Sequence, residues 1–145
     1  MIIRRARRED LDAIVALYFD DALHAAIEPR DADRSEAFEE ITNDPREMLL
    51  VAEQDGRVVG SLQITFLRYL TYGGARVALV EAVQVKASDR SRGIGSEMMR
   101  FAIEEAKKRG CNRVQLTSNK KRKDAHRFYE RLGFVASHEG FKLFL

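Results

Sequence analysis

A single cysteine, Cys111, stands in a chain of 145 residues, so no disulfide framework can form within it. Long apolar runs are missing as well: none approaches the ~20 residues that a membrane helix needs. The opening stretch "MIIRRARRED" is basic, without the apolar segment and small-residue cleavage site of a secretory signal. Together these absences argue against membrane and disulfide-stapled secreted classes, and point to a reducing cytoplasm. Metal-ligand spacing is absent too. His24, His126 and His138 are scattered, and with Cys111 they form no ligand pattern, so no metal is expected. Cys111 follows a helix stop and leads into a strand, where a buried structural thiol is expected rather than a nucleophile.

What is present reads as one domain spanning residues 1–145. Hydrophobic residues make up 45% and charged residues 33%, the balance of an ordinary globular protein, and no repeat, low-complexity segment or linker interrupts it. The net charge of +2 hides an asymmetry. Residues 1–75 hold 9 Lys and Arg against 15 Asp and Glu, a balance of −6; residues 76–145 hold 16 against 8, a balance of +8. A basic half of this kind draws anionic ligands through its field as well as by contact.

The pattern predicts a short first strand in "MIIRRA", then a helix capped by Asp10 with Leu11, Ile14, Val15 and Tyr18 on one face. A weaker helix follows over about Asp33 to Thr42, ended by "NDPRE". Asp55-Gly56 sits between runs rich in Val, Ile and Leu and marks a hairpin. "ARVALVEAVQVK" reads as a strand covered on both faces. Then come a helix "SEMMRFAIEEAKKRG" stopped by Gly110, a strand "RVQLTS", and a helix "KDAHRFYERLG" stopped by Gly133. Two final strands, "FVASH" and "FKLFL", are expected after it. The class is α/β, or mixed α+β: about 6–7 strands in a mixed, mostly antiparallel sheet flanked by about 4 helices.

The chemistry concentrates in "SDRSRGIGSEMMR", residues 88–100. It fails the dinucleotide fingerprint, because Met98 stands where the third glycine belongs, and it lacks the Lys-Ser/Thr of a P-loop. It remains an R-x-R-G-x-G-S turn opening a helix. The first N–H groups of that helix lack intrahelical partners and carry its positive dipole end. Gly93 and Gly95 permit close backbone approach, and Arg90 and Arg92 supply charge-assisted donors. The loop thus suits an anion, with an ordinary glycine-containing helix start as the alternative.

Three segments in order, "LVEAVQV", "RSRGIGSEMM" and "AHRFYERLGF", resemble the GNAT family of acyl-CoA-dependent N-acyltransferases. The loop Arg90-Ser91-Arg92-Gly93-Ile94-Gly95 is similar to the family's Q/R-x-x-G-x-G/A signature. Ala125 to Phe134 is similar to its A-x-x-F-Y-x-x-x-G-F element. The likeness is specific over residues 79–135 and topological before that. It implies the GNAT fold, with acetyl-CoA as co-substrate and no metal. The pyrophosphate would lie on Arg90, Arg92, Gly93, Ile94, Gly95 and Ser96, and the pantetheine arm on main-chain groups of Val83 and Val85.

Glu81 would be the general base. By strand alternation it would share a face with Leu79, Val83 and Val85 and be partly desolvated, which raises a carboxyl pKa; a structural ion pair is the alternative. Tyr129 would touch the cofactor and protonate the leaving thiolate, or else serve as a core tyrosine in the stripe Ala125, Phe128, Tyr129 and Leu132. Where the family often has Asn, this chain has Arg122. Asn119 could supply an amide to the arm instead, and Arg122 and Lys123 could reach the adenosine 3′-phosphate.

The implied reaction is transfer of an acetyl group to a primary amine by direct attack in a ternary complex. In the family the first two helices and their loop line the acceptor pocket. Here Asp20, Asp21, Glu28, Asp31 and Asp33 lie in that region, a rim suited to a cationic amine. Rival readings are a non-catalytic acyl-CoA-binding module and a nucleic-acid-binding domain on "KKRK", residues 120–123. No aromatic interleaves that run, and the first half of the chain is acidic, which argues against nucleic acid. The resemblance is also compatible with a homodimer through the C-terminal strands.

Overall fold

The computed structural model describes all residues, 1–145. It divides into two compact units, Met1–Gln115 and Leu116–Leu145. In the first, a five-stranded sheet runs in chain order: β1 (Ile2–Arg5), β2 (Glu47–Gln54), β3 (Arg57–Arg68), β4 (Arg76–Val85) and β5 (Cys111–Gln115). All neighbours are antiparallel except β4 and β5, which are parallel. The sheet is therefore mixed and mostly antiparallel, as the sequence suggests, with fewer strands. Around it lie α1 (Leu11–Phe19), α2 (Ala22–Ala25), α3 (Ser35–Asn43), the single turn α4 (Thr71–Gly74) and α5 (Ile94–Lys108). The second unit contains α6 (Lys123–Arg131).

The β2–β3 hairpin forms where Asp55-Gly56 predicts it. Both residues take positive φ, +51° and +71°, the backbone of a turn whose twist matches its flanking strands. Two layers then cover the sheet. On one face Ile14 of α1 and Phe38 of α3 pack against Leu49 and Val51 of β2. On the other, α5 buries Met98, Met99, Ala102 and Ala106 against β3, β4 and β5. Gly60 of β3 makes the second packing possible. A Cβ there would sit 2.7 Å from Met98 Sδ and 3.1 Å from the Gln84 carbonyl, so glycine lets α5 press on β3 close beside β4.

Asp10 does not cap α1 through its side chain. It ends a 3-10 turn, Arg8–Asp10, and its buried carboxylate turns back to accept the Arg7 N–H at 2.7 Å and the Arg4 guanidinium at 2.7 and 3.0 Å. Arg4 also reaches Glu53 on the neighbouring strand, so β1, β2 and the entry to α1 share one charged knot. The final strands "FVASH" and "FKLFL" are not formed: residues 134–145 carry no regular structure. Their Phe, Val and Leu content suits strands, but it does not by itself specify pairing. No helix is long and apolar enough to cross a membrane.

The Arg4 hydrogen bond, ahead of the other influences on it, holds the Asp10 carboxyl below the ordinary carboxylate range. A depressed folded-state pKa gives stability that is complete above the unfolded value near ~3.9 and lost as pH falls through the folded one. Urea melts should therefore weaken below about pH 4. Asp10→Asn should cost about 1.5–3 kcal/mol at neutral pH, because Arg4 loses its charge-assisted bonds to Asp10 while keeping Glu53, and should flatten that part of the acid dependence.

Candidate active site

Strand β4 decides the geometry. Its register with β3 runs Leu79 opposite Thr65 and Glu81 opposite Gln63, then jumps to Gln84 opposite Ser61. One extra residue is accommodated on β4, and Ala82 takes φ +52° to do it, as expected of a bulge that bends a strand. Strict alternation fails across this point. Glu81 shares its face with Gln84, while Val83 and Val85 move to the other, so the expected grouping of Glu81 with Val83 and Val85 is overturned. Glu81 is also solvent-exposed rather than partly desolvated; Val83 and Val85 are half-buried.

The bulge coincides with a parting of strands. β4 pairs with β5 only over Arg76–Leu79, opposite Cys111–Gln115. From Val80 to Val85 the outer edge of β4 has no strand beside it, which leaves main-chain N–H and C=O groups for another partner.

The chain leaves this edge through a 3-10 turn, Ala87–Asp89, and enters α5 through the glycine loop. Ser91 and Gly93 take φ of +63° and +84°. Gly93 is the N-cap of α5, and no side chain caps the helix, so the amides of its first turn, at Ile94, Gly95 and Ser96, keep their capacity for a ligand. Two of the expected phosphate ligands have internal partners here. Arg90 Nε donates to the Val85 carbonyl at 3.1 Å, and Arg92 pairs with Asp89 at 2.9 Å. The Ser88 hydroxyl, then Arg92, hold the Asp89 carboxyl below its usual range. A guanidinium carries five donors, so each arginine retains several for an anion.

The fold brings Val83, Val85, Arg90, Arg92, Gly93, Ile94, Gly95 and Ser96 into one strand–turn–helix junction of the first unit, with Glu81 on the same strand. Asn119 and Tyr129 belong to the second unit. Asn119 organises the entry to α6: its Oδ1 accepts the Lys121 N–H, and its carbonyl accepts from the Arg122 N–H and lies 2.9 Å from His126 Nε2. Tyr129 is half-buried and meets Phe128 and Phe134 edge-on, at centroid distances of 5.1 and 5.8 Å. Burial pushes the Cys111 thiol up, consistent with a structural role.

The acidic rim proves largely committed. Asp20 accepts from the Ala87 N–H, Asp21 from the His24 N–H, and Asp33 from the Ser35 N–H. Glu28 accepts from Arg34 at 2.6 Å and faces His24 at 3.1 Å. Three features were hidden from sequence reading: the bulge at Ala82, the tie between Asp20 and Ala87, and Ser61, whose fully buried hydroxyl has no partner. A small polar residue in an apolar strand was the only available signal for the last.

The sequence model of the acetyltransferase (GNAT) family matches residues 5–134. An aminoalkylphosphonate N-acetyltransferase of Salmonella typhimurium is 32% identical over 136 residues, 94% of this chain and 86% of that protein. A glucosamine 6-phosphate N-acetyltransferase of Trypanosoma brucei brucei is 36% identical over 88 residues, 61% of this chain and 58% of that protein. A crystal structure described as a transcriptional regulator from Bacillus halodurans superposes with a TM-score of 0.95 at 44% identity, over 99% of both chains.

Gly93→Ala should cost about 1–2 kcal/mol, since alanine resists left-handed backbone, and should weaken anion binding at α5. Thermal melts with and without a phosphate-bearing ligand would read both effects.

Proposed function

The chain belongs to the acetyltransferase (GNAT) family and is an N-acetyltransferase, and we propose that it forms one catalytic domain moving acetyl from acetyl-CoA directly to a primary amine. The observation that carries this is the open edge of β4 beyond Leu79, leading into an uncapped helix start with Gly93 in left-handed conformation. That arrangement offers main-chain groups to an extended amide-bearing arm, followed by N–H groups and two arginines for a pyrophosphate.

In this reading the pyrophosphate rests on the amides of Ile94, Gly95 and Ser96 and on Arg90 and Arg92. Main-chain groups of Val83 and Val85 take the pantetheine arm. Glu81, exposed beside the bulge, takes a proton from the acceptor ammonium directly or through a water it orients. The neutral nitrogen attacks the thioester carbonyl and forms the C–N bond, with the developing oxyanion held by strand N–H groups near Val83. The C–S bond then breaks, the nitrogen gives up its second proton to solvent to leave the amide, and Tyr129 protonates the departing thiolate and regains a proton from solvent. Because a thiol has pKa near ~8.5, this last step asks little of the tyrosine. Asn119 supplies an amide to the arm.

The acceptor we favour is a small primary amine carrying a phosphonate or phosphate group. The named substrates of the Salmonella and Trypanosoma relatives are of this kind. Of the acidic residues expected to favour a cationic acceptor, Glu28 is already paired with Arg34. Acetyl-CoA at ~100 times its Kd should stabilise the protein by about 2.7 kcal/mol. Thiol release should follow with an aminoalkylphosphonate and not with DNA or spermidine as second ligand. Binding without thiol release from any amine would leave an acyl-CoA-binding module; DNA binding without an acetyl-CoA shift would overturn the reading. Glu81→Gln should lower turnover at neutral pH at least tenfold while acetyl-CoA affinity stays within about twofold. An unchanged pH–rate profile would remove Glu81 as the base.

We further infer a homodimer. No residue of Leu116–Leu145 is buried, and Val135, Phe141, Leu143, Phe144 and Leu145 are 81–117% exposed, large apolar side chains of the kind an interface covers. The free side of β5 is an unpaired edge of the kind that recruits a strand. Light scattering should give twice 16.6 kDa, and Phe141→Asp with Phe144→Asp should halve it; a wild-type monomer would contradict the dimer.

A further inference from the structure

Asp20, the residue that ends α1, makes its main connections far along the chain. Its carboxylate Oδ2 accepts the backbone N–H of Ala87 at 2.5 Å. Its carbonyl oxygen lies 3.5 Å from Nη2 of Arg90, whose Nε donates to the Val85 carbonyl at 3.1 Å. The last residue of β4, the turn that follows and the first arginine of the glycine loop are thereby tied to the end of one helix. Ile14 and Leu17 anchor that helix in the core. Within the segment the Lys86 N–H donates to the Val59 carbonyl, the Asp89 N–H to the Lys86 carbonyl, and Arg92 pairs with Asp89. Ala87, Ser88, Arg90, Ser91, Arg92 and Gly93 are nonetheless exposed, and Asp20 is what ties them to α1.

The position of this carboxylate is electrostatically odd. An anion near a loop that receives a pyrophosphate repels the ligand, so a direct ligand contact cannot be its use. The hydrogen bond to Ala87 gives it another. A loop held in its binding conformation beforehand loses less conformational freedom when the ligand arrives, and the amides at the start of α5 keep their aim.

We infer that Asp20 is a positioning residue for the donor loop, presetting residues 86–93 from the end of α1. This rests on the acetyl-CoA reading above, and it predicts that geometry rather than charge is what position 20 contributes. Asn retains an oxygen that accepts from the Ala87 N–H and removes the repulsion; Ala removes both.

Calorimetric titration of acetyl-CoA, paired with steady-state kinetics, separates the cases. Asp20→Ala should weaken acetyl-CoA binding about 10-fold and raise its KM by a similar factor, with kcat within about twofold. Asp20→Asn should bind at least as tightly as wild type. In the wild-type protein, hydrogen exchange at the Ala87 amide should be slow. Equal affinity of wild type and Asp20→Ala, an Asp20→Asn as weak as Asp20→Ala, or fast exchange at Ala87 would each overturn the proposal alone. Failure of the wild type to bind acetyl-CoA would remove the donor reading, and this proposal with it.

Discussion

Between Glu81 and Gln84, strand β4 advances three positions while β3 advances two, and the extra residue, Ala82, takes left-handed backbone to fit. The cost of that conformation, about 1–2 kcal/mol for a residue with a Cβ, is held in place by a sheet whose central residues Leu62, Ile64, Val77 and Val80 are sealed from water. Past Leu79 the strand is no longer paired with β5. A main-chain edge left open on an inner strand of a sheet is a liability unless something binds there. The turn at Ala87–Asp89 and the uncapped start of α5 follow that edge along the chain. Bulge, open edge and helix start are thus one device built on one strand.

Charge is distributed to match. The excess of Lys and Arg after residue 75 includes the two arginines of the glycine loop. The acidic excess before it survives internal pairing: Arg4 holds Asp10 and Arg34 holds Glu28, one base for one acid, and backbone N–H groups orient Asp20, Asp21 and Asp33 without cancelling their charge. Carboxylates at chain turns are as readily used for local hydrogen bonds as for ligands, so their number alone does not mark a binding rim.

The parts of this protein that were legible in its sequence are those set by local chemistry. Asp55-Gly56 fixes its hairpin through backbone freedom alone, and Gly110 and Gly133 stop helices with φ of +71° and +97°. The glycine loop and the "AHRFYERLGF" element carried the family. What remained hidden depends on partners elsewhere in the fold. Alternation put Glu81 beside Val83, since nothing in "LVEAVQV" marks Ala82 as the surplus residue. The segments "FVASH" and "FKLFL" have the Phe, Val and Leu content of strands, but composition does not specify a pairing partner, and residues 134–145 carry no regular structure. Asp10 has the identity of a cap, yet Arg4 and the Arg7 N–H claim its oxygens.

The central claim is that the open edge of β4 and the start of α5 together receive acetyl-CoA. Hydrogen exchange of the wild-type protein with and without saturating CoA tests it most directly, because the claim concerns main-chain amides. Exchange should slow at Ala82 to Val85 and at Arg92 to Ser96, with little change in β1 and β2. Unchanged exchange at both segments while CoA is bound would contradict it.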